Sequence, residues 1–166
     1  MRRNNHVTQN EYLLNEGSTL MSTTTIQSHI TYANSAFIDA SGYKEEHLIG
    51  EPHNVIRHPD MPAEAFGDMW YTLQQGESWT GLVKNRRRNG DHYWVRANVT
   101  PVYQNDTLTG YISVRNIPER HEIDASEALY QRVRNNEIKG HRFYKGVLVR
   151  RGILSFLSLF KRLSTA

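Results

Sequence analysis

Cysteine is absent from the 166 residues, and that one absence removes several chemistries. Disulfides, thiolate metal sites, a cysteine nucleophile and any cysteinyl cofactor adduct are all excluded. Long apolar runs are missing too. The longest strongly apolar stretch, GILSFLSLF at 152–160, falls short of the roughly 20 residues that a membrane-spanning helix needs. The N-terminus MRRNNHVTQNEYLL lacks the apolar segment of a secretory signal. These absences make a cytoplasmic location the expectation. No GxxxxGK(S/T) loop, GxSxG elbow or convincing carboxylate pair is present, so catalysis is not expected.

What is present begins with a charge asymmetry. Residues 1–127 carry 11 Lys/Arg against 16 Asp/Glu, and residues 128–166 carry 9 against 1. An acidic domain followed by a basic tail is implied. We divide the chain into an N-terminal cap segment (1–17), a domain (18–118) and a helical basic tail (119–166). Within the domain, STLMSTTTIQSHITYA predicts two short strands. Asn34 suits the N-cap of a short helix ending near Gly42. PAEAFGDMWYTLQQG predicts an amphipathic helix, with Phe66, Met69, Trp70 and Leu73 at i, i+3, i+4 and i+7. Three strands follow, the first two joined by the Asn-Gly turn of RRNGD. The order is β-β-α-α-α-β-β-β, an α+β class with a five-stranded antiparallel sheet and short helices on one face.

Alternation assigns faces to those strands. Trp79, Gly81, Val83 and Asn85 form one inward set, and Tyr93, Val95, Ala97 and Val99 another. On the last strand the apolar alternates Leu108, Ile112 and Val114 predict the inward face, leaving Ser113 and Arg115 outside. An inward Asn85 with a nearby glycine suggests a lined space rather than a close-packed core. Proline is scarce, five in all, yet Pro59 and Pro62 bracket Asp60 in NVIRHPDMPAEAF. Arg57, His58 and Asp60 thus sit on stiffened backbone, where the prolines limit rearrangement. Asp60 also suits a helix N-cap, and both readings stand at this stage. Trp70 reads chiefly as core, and Trp79 equally as core or as a ring-stacking surface. His53, His58 and Asp60 offer nitrogen and oxygen ligands but not the spacing of a zinc site. KNRRR at 84–88 lacks interleaved aromatics, so nucleic-acid binding is not expected.

TYANSAF, SGY, RHPDMP and KNRRRNGDHYWV, in this order of elements, resemble a PAS domain, and within that family the sensor domain of bacterial aerotaxis receptors. The resemblance spans roughly residues 18–118. It implies non-covalent binding of FAD and signalling of oxygen or respiratory redox state through the flavin. It assigns flavin anchoring to Arg57, His58 and Asp60, with Trp79 and Asn85 as cavity contacts. Asn34, His53 and Trp70 complete the candidate set. A haem-binding PAS domain using His53 or His58 as axial ligand is one alternative. A cofactor-free dimerisation module is another. Those receptors continue into a membrane anchor, a HAMP segment and a methyl-accepting region, which these residues do not contain. The expectation is therefore a stand-alone sensor or the sensor part of a longer receptor. It would be a homodimer signalling to a separate membrane-bound or chemotaxis partner. The segment 150–163, with Ile153, Phe156, Leu157 and Phe160 flanked by basic residues, suits a helix that lies on the membrane surface, binds a partner or packs at the end of the chain, and the receptor resemblance favours the membrane surface.

Overall fold

The structure is a computed structural model and describes residues 6–151. Strands β1 (Leu20–Thr25) and β2 (Ile30–Ala33) form the first hairpin. Helix α1 (Ser35–Ser41) follows, then two 3-10 turns at Glu45–His47 and His53–Ile56, then α2 (Ala63–Gln74). Strands β3 (Trp79–Arg86), β4 (His92–Gln104) and β5 (Thr107–Asn116) complete a five-stranded antiparallel sheet in the order β2-β1-β5-β4-β3. The sequence-level α+β reading matches this architecture.

Local chemistry explains the boundaries. The Asn34 carboxamide oxygen accepts from Phe37 N at 3.0 Å and so caps α1, while Gly42 ends it at φ 71°. The core is made by Leu20, Ile30, Phe37, Leu48, Ile56, Leu73 and Val95, each almost fully buried. At roughly 1.5–3 kcal/mol for each large apolar side chain, this burial is the main stabilising term. The N-terminal segment lies along the far end of the β3–β4 hairpin. There Thr8 N donates to Gly90 O, and Tyr12 N and His92 N bond across to His92 O and Asn10 O.

The faces of β5 differ from the sequence reading. Ser113 and Arg115 point into the domain, and Ile112 and Val114 lie half-buried on the outer face. The cause is a one-residue bulge. Tyr103 pairs with Leu108, but Val102 pairs with Gly110, which leaves Thr109 over. That slip carries every later residue of β5 to the other face, placing Arg115 opposite the inward Ala97.

The tail also differs. Helix α3 (Arg120–Arg134) forms as expected but packs on the opposite face of the sheet from α1 and α2. It stacks Tyr130 on Trp94 at 6.1 Å and donates the Tyr130 hydroxyl to Leu82 O at 2.6 Å. Residues 141–150 are a hairpin rather than helix, with β6 (His141–Tyr144) paired to β7 (Val147–Arg150). A Lys145–Gly146 turn at φ 49° and 82° favours the hairpin over a helix. The expected membrane-surface segment falls, from 152 onward, outside the described residues. No helix among the described residues is long and apolar enough to cross a membrane.

Candidate functional site: a cavity holding a lone buried cation

A cavity lies between the inner face of the sheet, helix α2 and the His53–Arg57 segment. Its internal volume is about 130 Å³, within about 820 Å³ of atom-free space once the solvent-open mouth is included. The apolar stripe of α2 forms one wall: Phe66, Met69 and Trp70 line it and stay half-buried because they face open space. Trp70 packs edge-on against Tyr111 at 5.4 Å. The sheet supplies Trp79, Val83, Asn85, Ala97, Val99, Ser113 and Arg115. Trp79 lies folded over Gly81, where a Cβ would sit 2.4 Å from the indole. That contact explains the glycine: a side chain there would displace the ring.

Arg57, Trp70, Trp79, Asn85 and His53 all line the cavity. Arg57 stands exposed at the mouth with its guanidinium 4.0 Å from the Phe66 ring centre, and its backbone bridges to that of Asn85. Three other candidates point elsewhere. Asn34 spends its carboxamide on Met21 N, Phe37 N and Thr19 O, which leaves it no role in the lining. His58 is buried behind the wall, edge-on to His92 at 6.0 Å, and its Nδ1 accepts from Asp60 N. Asp60 turns outward and pairs with Lys84 at 2.9 Å. It does not cap α2, whose N-cap position is taken by Pro62. The stiffened segment thus sends Arg57 toward the cavity and Asp60 toward the opposite face of the sheet.

The reading from sequence missed Arg115. This side chain is 2% exposed, and its Nη2 donates to Ser22 Oγ at 2.8 Å and to His53 Nε2 at 2.6 Å. Its guanidinium lies 4.7 Å from the Phe37 ring centre, while Nη1 is buried without a hydrogen-bond partner. Burial pulls its pKa down to about 10, with Tyr93 opposing that shift. His53 is held neutral: burial, then the charge of Arg115, lower its pKa to about 3. A neutral His53 is what allows Nε2 to accept from the guanidinium. A glycine inside a strand often marks a bulge or a close backbone approach, so Gly110 was the available hint that the faces of β5 invert. A Cβ there would lie 2.0 Å from Thr24 O.

On the outer face, Lys84 is 4% exposed and ion-pairs with Asp60 at 2.9 Å and Glu127 of α3 at 2.8 Å. Burial would raise the Asp60 carboxyl pKa, but the bonded Lys84 and the charges of His58 and Arg134 together outweigh it and hold the group below its ordinary value. Arg134 also donates to Asp60 O.

The PAS fold family matches residues 30–115. The chain belongs to the PAS family. Over 152 residues it is 51% identical to the aerotaxis receptor of Escherichia coli strain K12, covering 92% of this chain and 30% of the receptor. A nitrogen fixation regulatory protein of Klebsiella pneumoniae is 31% identical over 125 residues, covering 75% of this chain and 24% of that protein. The chain therefore spans a third or less of these relatives. Among solved structures, a PAS domain from Colwellia psychrerythraea superposes with TM-score 0.55 at 22% identity, covering 60% of this chain and 86% of that one. A light-oxygen-voltage domain solved in work with a flavin analogue gives 0.57 at 20% identity, covering 71% and 87%. Both share the fold. The chain is a PAS domain of the aerotaxis-receptor type.

Proposed function

We propose that this PAS domain binds FAD non-covalently in the cavity and passes the flavin's redox state to a chemotaxis-type signalling partner. The observation that carries this reading is Arg115, a buried cation whose side chain lines the cavity and whose Nη1 has no hydrogen-bond partner. A buried charge left unpaired costs several kcal/mol, so the site favours a ligand with an electron-rich or anionic edge. Arg115, Arg57 and Asn85 suit such an edge, and Trp79, Trp70 and Phe66 suit a flat ring. When bound, the flavin supplies the electron transfer, and the protein's groups tune it through hydrogen bonding and charge. The 130 Å³ interior is small for a ligand site, since such sites commonly reach about 300 Å³ or more. A flavin must therefore widen it, and the half-buried Phe66, Met69 and Trp70 are the side chains free to give way.

The haem alternative fits less well. His53 Nε2, the lone pair an iron would need, already accepts from Arg115, and His58 lies outside the lining. The identity of the cofactor is tested by the absorption spectrum of the purified protein. We expect flavin bands that bleach on reduction, and colourless protein from Arg57→Ala and Arg115→Ala variants. Wild-type protein that is colourless and fails to take up added FAD would overturn the assignment, and a Soret band would replace it with haem.

A further inference from the structure

Asp68 of α2 is buried, 9% exposed, and its carboxylate is the meeting point of three N–H donors. Oδ2 accepts from the Trp79 indole Nε1 at 2.8 Å and from Gly146 N at 2.7 Å, and Oδ1 accepts from Lys145 N at 2.9 Å. One donor belongs to the cavity wall. The other two belong to the turn of the β6–β7 hairpin, nearly 80 residues away in sequence.

The turn is seated as well as bonded. A Cβ on Gly146 would lie 1.8 Å from Thr80 O, so the turn backbone presses directly on β3, and only glycine permits the approach. Gly81 is likewise close, 3.2 Å from that same point, and the Trp79 indole covers Gly81. The Lys145 ammonium holds the rim of the turn through an ion pair to Glu77. Indole, strand glycine and hairpin turn therefore form one packed stack, tied by a single carboxylate.

The geometry points to Asp68 as a positioning residue that couples the cavity to the C-terminal hairpin. It fixes the Trp79 wall only while the Lys145–Gly146 turn is docked. Conversely, displacement of the Trp79 indole disturbs the acceptor on which the turn depends. Because the coupling is thermodynamic it is reciprocal: whatever orders Trp79 also secures the hairpin, and whatever frees the hairpin loosens the wall. The hairpin is then the element through which a change in the cavity reaches the chain beyond residue 151. Only the ligand arm of the test rests on the flavin assignment.

Amide hydrogen exchange at Lys145 and Gly146 reads the coupling directly, with β4 amides such as Val95 and Val99 reporting whether the fold is intact. Asp68→Asn replaces one acceptor oxygen by a donor, and we expect exchange of the two turn amides to rise about 10-fold with β4 unchanged. Trp79→Phe removes the indole N–H and touches no hairpin hydrogen bond, yet exchange at the turn should rise about 3-fold. In wild-type protein, saturating FAD should slow the same two amides, and in Asp68→Asn it should not. Turn amides unmoved by Asp68→Asn would overturn the coupling. If that variant fails to fold, turn amides unmoved in Trp79→Phe would do so. Flavin bound tightly with no change at the turn would overturn it too. Wild-type protein that binds no flavin would remove the flavin assignment and leave the two variants to decide the coupling.

Discussion

Lys84 and Arg115 are cations buried to nearly the same depth on opposite faces of one sheet, and the fold treats them differently. Lys84 on the outer face reaches two carboxylates, Asp60 and Glu127, and so joins β3 to α3 and to the segment after His58. Arg115 on the inner face has a hydroxyl, a neutral histidine and a phenyl ring, with its Nη1 left without a partner. Both lose hydration on folding, but only Lys84 gains carboxylate counter-charges from the protein. The paired cation is an element of structure. The unpaired one lines the cavity, which opens on its side of the sheet, and is the group we propose meets the ligand.

Acid should break both arrangements, with the largest effect. His53 faces Arg115, so protonating it adds a cation beside a cation, while His58 would be charged inside the protein, where burial opposes the charge more than the nearby Asp60 favours it. Burial is the main cause of both depressed values, about 3 and about 4 against an ordinary 6.5. The unfolded chain therefore takes up protons first. Stability is complete above pH 6.5 and falls as pH drops toward 4, by at most about 2 kcal/mol for each histidine at pH 5. Urea titrations at pH 7 and pH 5 measure the loss, and His58→Gln should remove about half of it. A smaller effect is expected from stripping Lys84 of its partners. Asp60→Asn with Glu127→Gln leaves a buried ammonium without a counter-charge, and unfolding free energy should drop about 3 kcal/mol. If the double variant is as stable as wild type, Lys84 is not the paired cation described above.

Much of the scaffold was legible from local signals. The Asn34 cap, the Asn89-Gly90 turn and the α2 stripe are decided by residues within one turn or hairpin. The roles of the two cations were not, because their partners are remote. Lys84 reads as a solvated strand residue until Asp60 and Glu127, 24 and 43 positions away, are brought against it. Asp60 reads as a cap or a ligand for the same reason. Arg115 was misplaced by a single bulge, since ordinary alternation from the Asn105-Asp106 turn puts Ile112 and Val114 inside. The hairpin at 141–150 was hidden because Asp68, nearly 80 positions away, and Tyr130 of α3 hold it in place.

Truncating each cation to an apolar side chain of similar length gives the smallest effect, but one whose sign separates the two. Lys84→Met removes two charge-assisted hydrogen bonds, and its carboxylate partners, already half-exposed, return to solvent. The unliganded protein should lose about 1 kcal/mol. Arg115→Met removes a buried charge that has no counter-charge and fills much of its volume with apolar atoms, while Ser22 Oγ and His53 Nε2, 3.4 Å apart, can bond each other in its place. The unliganded protein should gain about 1 kcal/mol, while flavin uptake falls about 100-fold. Chemical denaturation of ligand-free protein, paired with flavin titration, measures both quantities. If Arg115→Met lowers stability as Lys84→Met does, Arg115 is a structural cation like its counterpart, and the unpaired Nη1 has no ligand to explain it.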